Sequence, residues 1–210
     1  MKNINWQMKK NLFTILAFFP MSLLAQIGIK GGINFANVTN ASSINNSSRS
    51  GFSIGAFMAP KSKGLIGFRS EINFSRQGYD FKTNTNTGNV NLDYILLPQF
   101  TTINLTKFVQ IQAGFQMAYL IRASVEESSG NTGGYGKLMD YYNKFDYGIA
   151  GGLEIHPLKG LLIGARYNLS LGDLYKSIGI PPSGTMPSFI PDVNVKNNVI
   201  NFYVGWHFAK

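Results

Sequence analysis

Alternate residues of the stretch 198–208 fall into two sets. Ile200, Phe202, Val204, Trp206 and Phe208 are apolar; Val199, Asn201, Tyr203, Gly205 and His207 are mostly polar or small. Period-two alternation of this length predicts a β-strand with two chemically distinct faces. The apolar set is long enough to cross a bilayer as a tilted strand, which takes roughly 9–11 residues. It ends in Trp206 and Phe208, the residue types enriched where a strand leaves the hydrocarbon.

The same alternation recurs over 27–36, 51–60, 65–79, 91–102, 108–125, 143–156 and 161–171, which with the last stretch makes eight strands. In 65–79, Ile66, Phe68, Ile72 and Phe74 oppose Gly67, Arg69, Glu71, Asn73 and Ser75; in 108–125, Val109, Ile111, Ala113, Phe115, Met117, Tyr119 and Ile121 oppose Gln110, Gln112, Gly114, Gln116 and Arg122. The strand over 91–102 is the least regular, because Ile95-Leu96-Leu97 interrupts the alternation. Long polar connections (37–50, 80–89, 126–142 and 172–197) alternate with tight turns. An even strand number with short turns at one end and long loops at the other predicts an all-β fold, an eight-stranded antiparallel up-and-down transmembrane β-barrel.

A soluble, secreted, lipocalin-like barrel with an apolar interior shows the same periodicity. Two features favour the membrane reading. One set is rich in Gly and Gln, suited to a narrow lumen, whereas the apolar set is broad and aromatic-rimmed by Tyr94, Tyr119, Tyr167 and Trp206. Every strand is also uncharged at the middle of its apolar face, where a Lys or Arg costs about 2–4 kcal/mol at the bilayer midplane.

Ahead of the first strand, Lys2, Lys9 and Lys10 precede an apolar run over 12–25 that ends at Ala25-Gln26. That arrangement describes a secretory signal peptide, 1–25, cleaved after export by the Sec pathway, with the barrel domain as 26–210. The chain has no cysteine, which excludes a lipid-anchored cysteine, disulfides and thiolate metal sites.

Ile27-Gly28-Ile29-Lys30-Gly31-Gly32-Ile33-Asn34-Phe35-Ala36, directly after the Ala-Gln junction, resembles the PorT-like outer-membrane β-barrel family of Bacteroidetes-type bacteria, as does Tyr94-Ile95-Leu96-Leu97-Pro98. The acidic residue common inside that second motif is absent here, with Asp93 just before it. The resemblance implies an eight-stranded outer-membrane barrel and an accessory role in protein secretion. It supplies no catalytic residues.

Charges on the polar faces are the candidate chemistry. Arg69, Glu71, Arg122, Glu154 and Arg166 are expected to form a lumen network, since an eight-stranded barrel encloses only side chains. With the turn at 157–160 closing the hairpin, Gly152 falls opposite Arg166 and Glu154 lies on its diagonal, which predicts an Arg166–Glu154 pair. Of the net charge of +9, the leader lysines account for a third, and Lys61, Lys63, Lys107, Lys159 and Lys210 gather at the short-turn end. They suit a periplasmic basic rim against lipid phosphates. Ile178, Ile180, Met186, Phe189 and Ile190 make the last long connection unusually apolar, the leading candidate for partner contact.

An outer-membrane lipid-modifying enzyme is the weakest alternative. His156 and His207 fall at the turn end of their strands and Ser170 at the opposite end, whereas covalent catalysis needs base and nucleophile within hydrogen-bond reach. No metal spacing occurs. The sequence thus predicts a non-enzymatic, monomeric barrel without cofactor or nucleic acid. Its expected partners are outer-membrane lipid and other envelope or secretion-machinery proteins.

Overall fold

The computed structural model describes residues 27–39, 47–60, 64–82, 87–127, 139, 141–176 and 195–208. Eight strands follow one another: β1 (Ile27–Thr39), β2 (Ser47–Met58), β3 (Ile66–Lys82), β4 (Thr87–Asn104), β5 (Val109–Glu127), β6 (Phe145–Ile155), β7 (Leu161–Ser170) and β8 (Lys196–His207). Each pairs antiparallel with its sequence neighbours, and β8 returns to β1, so the sheet closes without an edge. The leader at 1–25, the rim lysines Lys61, Lys63 and Lys210, and the apolar stretch from Ile178 to Ile190 lie outside the described residues.

The apolar stripe faces outward. Phe115, Ile163 and Phe202 are 54%, 40% and 48% exposed, whereas Gln112 and Arg166, on the opposite face, are 1% and 4% exposed. This orientation excludes the soluble carrier: its apolar face would line the interior, and here the same face forms the outer wall. Such a wall suits acyl chains, because a closed ladder satisfies every backbone group internally.

Six strands, β1 to β5 and β8, run further at one end or both than the sequence indicates. Asp80–Lys82 and Thr87–Asn89, expected as loop, continue the β3–β4 ladder to Lys82↔Thr87. Their inward residues explain why. Phe81, Val90 and Leu92 join Val38, Tyr79, Tyr94, Leu96, Leu120, Val125, Tyr142, Leu174 and Val195 in an apolar core that fills the long-loop end of the barrel. Within a bilayer the outer wall supplies apolar contact; beyond it the wall meets water, and the hydrophobic effect turns large side chains inward. The irregularity at Ile95-Leu96-Leu97 is this change of regime, with Leu96 buried at 7% exposure in that core and Leu97 on the wall. Tyr94, expected on the outer aromatic rim, is also inside, at 1% exposure.

Loop segments close this end. Asn143 N–H donates to the Leu174 carbonyl, Leu174 N–H to the Val195 carbonyl and Lys176 N–H to the Tyr141 carbonyl. The Asn143 side-chain amide reaches the carbonyls of Asp173 and Tyr175 at 2.7 and 3.0 Å. Tyr142 and Tyr175 form an isolated bridge with ring centroids 4.9 Å apart. The described ends of the connections after β5 and β7, at 141–144, 171–176 and 195, are therefore bonded to one another at the barrel mouth.

A β-bulge corrects one expected site residue. Asp93 pairs with Arg122 but Tyr94 pairs with Leu120, so Ile121 is the extra residue. A bulge shifts the parity of everything beyond it. Arg122, expected in the lumen, is exposed on the outer wall, and Val125 takes the inward position.

Candidate functional site

Of the expected lumen residues, Arg69, Glu71, Glu154 and Arg166 lie together at mid-barrel, all at most 4% exposed. The pairing differs from the one the hairpin suggests. Gly152 does pair with Arg166, but Arg166 crosses the lumen to β3, placing Nη1 2.9 Å from Glu71 Oε2 and Nη2 3.0 Å from Oε1. Glu154 instead takes Arg69, whose Nη1 lies 2.9 and 2.7 Å from its two oxygens. Arg69 Nε is also 3.0 Å from Glu71 Oε1. An arginine long enough to span a narrow lumen need not choose its diagonal neighbour.

Four residues absent from the sequence-level site, Lys30, Gln112, Tyr203 and Asn73, bond into the network. Lys30 Nζ lies 2.6 Å from Glu71 Oε2. Gln112 accepts from Arg166 Nη2 at 2.6 Å and donates to Glu154 Oε2 at 3.1 Å. Tyr203 OH donates to Glu154 Oε2 at 3.1 Å. Each shares the inward parity of its strand, which was the available signal; partner choice across the lumen was not encoded there. Asn73 Nδ2 adds a further bond to Glu71 at 3.0 Å.

Aromatic rings stack on the cations. The Arg69 guanidinium lies 3.8 Å over Phe57, that of Arg166 4.0 Å over Phe100, and Lys30 Nζ 4.5 Å over Tyr203. Glycines make room for these rings. A Cβ on Gly28 would sit 2.1 Å from Phe57 Cζ, and one on Gly164 2.3 Å from Tyr203 Cζ. Ion pairs, hydrogen bonds and cation–π contacts together satisfy charges that would be costly in so dry a site.

Toward the short-turn end the network opens on a cavity of about 170 Å³ lined by residues including Arg69, Thr102, Gln110, Glu154 and His156. His156 Nε2 lies 3.0 Å from Glu154 Oε1. Beyond it, a wider depression of about 610 Å³ includes Asn104, Thr106 and Lys107. Lys107 and Lys159 are exposed in their turns. Toward the long-loop end a cavity of about 20 Å³ between Lys30, Asn34, Gln116, Arg166 and Asn201 is large enough for a single water-sized guest. Above it Ser170 Oγ donates to the Asp146 carboxylate at 2.7 Å, at the opposite end of the barrel from His156.

The sequence over residues 14–176 matches the family described as outer membrane protein beta-barrel domain. No curated protein matches the chain. Among solved structures, Neisserial surface protein A is similar in fold, with a TM-score of 0.53 and 16% identity, covering 87% of this chain and 97% of that one. Ail, the attachment invasion locus protein of Yersinia pestis, aligns with a TM-score of 0.46 and 14% identity over 86% of this chain and 96% of its own.

Proposed function

Because this chain belongs to the outer membrane protein β-barrel domain family and so resides in the outer membrane, we propose that it is a non-conducting, non-enzymatic anchor whose long loops bind another envelope protein. The observation that carries this reading is the filled interior. The cross-lumen network of Lys30, Arg69, Glu71, Glu154 and Arg166 occupies the middle, and the core around Tyr79, Tyr94, Tyr142 and Leu174 fills the long-loop end. A barrel of this size has room for side chains only, and here both levels are taken.

The finer version is an accessory of protein secretion, as the PorT-like resemblance implies, exported through its leader at 1–25. Contact would run through the apolar residues Ile178, Ile180, Met186, Phe189 and Ile190, attached to the stitched cap at Leu174 and Val195. Lys61, Lys63, Lys107, Lys159 and Lys210 would meet phospholipid phosphates at the periplasmic rim. Photocrosslinking from Ile178 and Phe189 in intact cells tests the partner reading. A reproducible adduct with one envelope protein supports it, and crosslinks to lipid alone defeat it. Planar-bilayer recording tests closure, and steady single-channel steps at neutral pH would defeat that part.

A further inference from the structure

We propose that the outer wall of β2–β5, at the long-loop edge of the apolar belt, binds the phosphate groups of a phosphorylated glycolipid in the outer leaflet. The bulge at Ile121 turns Arg122 outward beside Asp93, and Asp93 faces Arg76 on its other side, so a row Arg76–Asp93–Arg122 crosses three adjacent strands. At the other edge of the same strands runs the apolar row Ile66–Ile103–Ile111. Ten residues separate Ile66 from Arg76 on β3, which at about 3.4 Å per residue and the usual barrel tilt is roughly 25 Å. That is the height of an outer-membrane barrel's apolar band, so the arginines stand at the level of the outer-leaflet headgroups.

The Arg76 and Arg49 guanidinium groups are held and incompletely used. Arg76 Nε and Nη2 bind the two Asp93 oxygens at 2.7 and 2.9 Å, which leaves Nη1 open on a side chain 41% exposed. Arg49 bonds Asn91 on β4 and Asp80 on β3, both at 2.8 Å, which leaves Nη2 open. Arg122 has no hydrogen-bond or ion-pair partner among the described residues and keeps all five N–H donors. Lys82 is exposed at the end of β3; Glu126 is the further carboxylate of the band. Asp93 holds the Arg76 fork and Asp80 the Arg49 fork, Arg122 stands unpaired beside them, and the free N–H groups match the bidentate geometry of phosphate oxygens. A headgroup anchored by its acyl chains along Phe52, Phe74 and Tyr119 would present phosphate at this height.

Native mass spectrometry of the detergent-extracted protein, with the thermal midpoint of its folded gel band, tests the site with diphosphoryl lipid A, dephosphorylated lipid A and free pyrophosphate. Diphosphoryl lipid A is expected to remain bound and raise the midpoint, the dephosphorylated form to be lost, and pyrophosphate to leave the midpoint unchanged. Arg122→Gln, which breaks no existing bond, is expected to weaken retention about tenfold, and Arg49→Gln with Arg122→Gln further; Lys196→Gln on β8, outside the β2–β5 wall, serves as the unaffected control. Equal retention by both arginine variants overturns the site. Equal binding of dephosphorylated lipid A reduces it to acyl contact and overturns it as well. A midpoint raised as much by pyrophosphate alone assigns the arginines to a free anion and overturns the lipid reading.

Discussion

Arg166 on β7 reaches across the lumen to Glu71 on β3 with two parallel bonds of 2.9 and 3.0 Å. Glu71 is the hub of the interior: Lys30, Arg69, Arg166 and Asn73 all converge on it. Three cations face two carboxylates, so the network has no carboxylate to spare.

Removing that hub should cost more than removing the other carboxylate. Glu71→Gln leaves three buried cations with Glu154 alone, and breaking a buried pair in this way costs about 3–5 kcal/mol. Glu154→Gln should lower stability less, because it removes the charge partner of Arg69 while Glu71 stays 3.0 Å from Arg69 Nε. Urea unfolding in detergent micelles, followed by heat-modifiable gel mobility, ranks the two. The reverse order would mean that Glu154 is the organising charge.

A double-mutant cycle separates the observed pairing from the hairpin pairing. Arg69→Met with Glu154→Gln should show a coupling within the 0.5–3 kcal/mol typical of contacting residues, and larger than that of Arg166→Met with Glu154→Gln. Equal couplings would argue for a single delocalised cluster.

Gly164 carries the Tyr203 ring, and a methyl group there would meet Cζ at 2.3 Å. Gly164→Ala should displace the ring from Glu154 and cost about 1–3 kcal/mol by overpacking. Gly31→Ala, where the nearest atom is 3.7 Å away, should fold like the parent. A thermal midpoint for Gly164→Ala equal to that of Gly31→Ala would show that the ring site has slack.

The aromatic cap should loosen in alkali. Burial pushes the Tyr142 and Tyr175 phenols well above their ordinary value. An acid whose folded-state pKa is raised contributes stability that is full below the unfolded value, about 10 for tyrosine, and is lost as pH rises beyond it. Ultraviolet titration should show these phenols ionising only together with cap opening, seen as new proteolysis near Tyr142, while the strands persist. Tyr142→Phe should remove part of that sensitivity. Free ionisation near pH 10 without opening would contradict the burial argument.

The wall of the barrel was legible because it obeys a local rule. In a strand the side-chain period is two, so Phe115 against Gln112, or Phe202 against Asn201, declared the two faces without reference to any other part of the chain. Strand number, their up-and-down order and the Gly152–Arg166 register followed from the same rule and from the tight turn at 157–160. Arg122 shows where it stops. One extra residue, Ile121, reverses the parity beyond it, and nothing in the local sequence marks that bulge.

What the sequence by itself determined, then, is which residues share a face, because alternation is enforced residue by residue along one strand; that the apolar face is the outer one was favoured by its uncharged middle and fixed by the closed barrel. Tertiary structure alone decided that Arg166 meets Glu71 rather than Glu154, that Tyr94 and Leu96 turn into an apolar core above the belt, and that Arg122 joins Arg76 outside. Those outcomes depend on distances across a closed barrel and on where its wall passes from acyl chains to water, and neither is a property of any single strand.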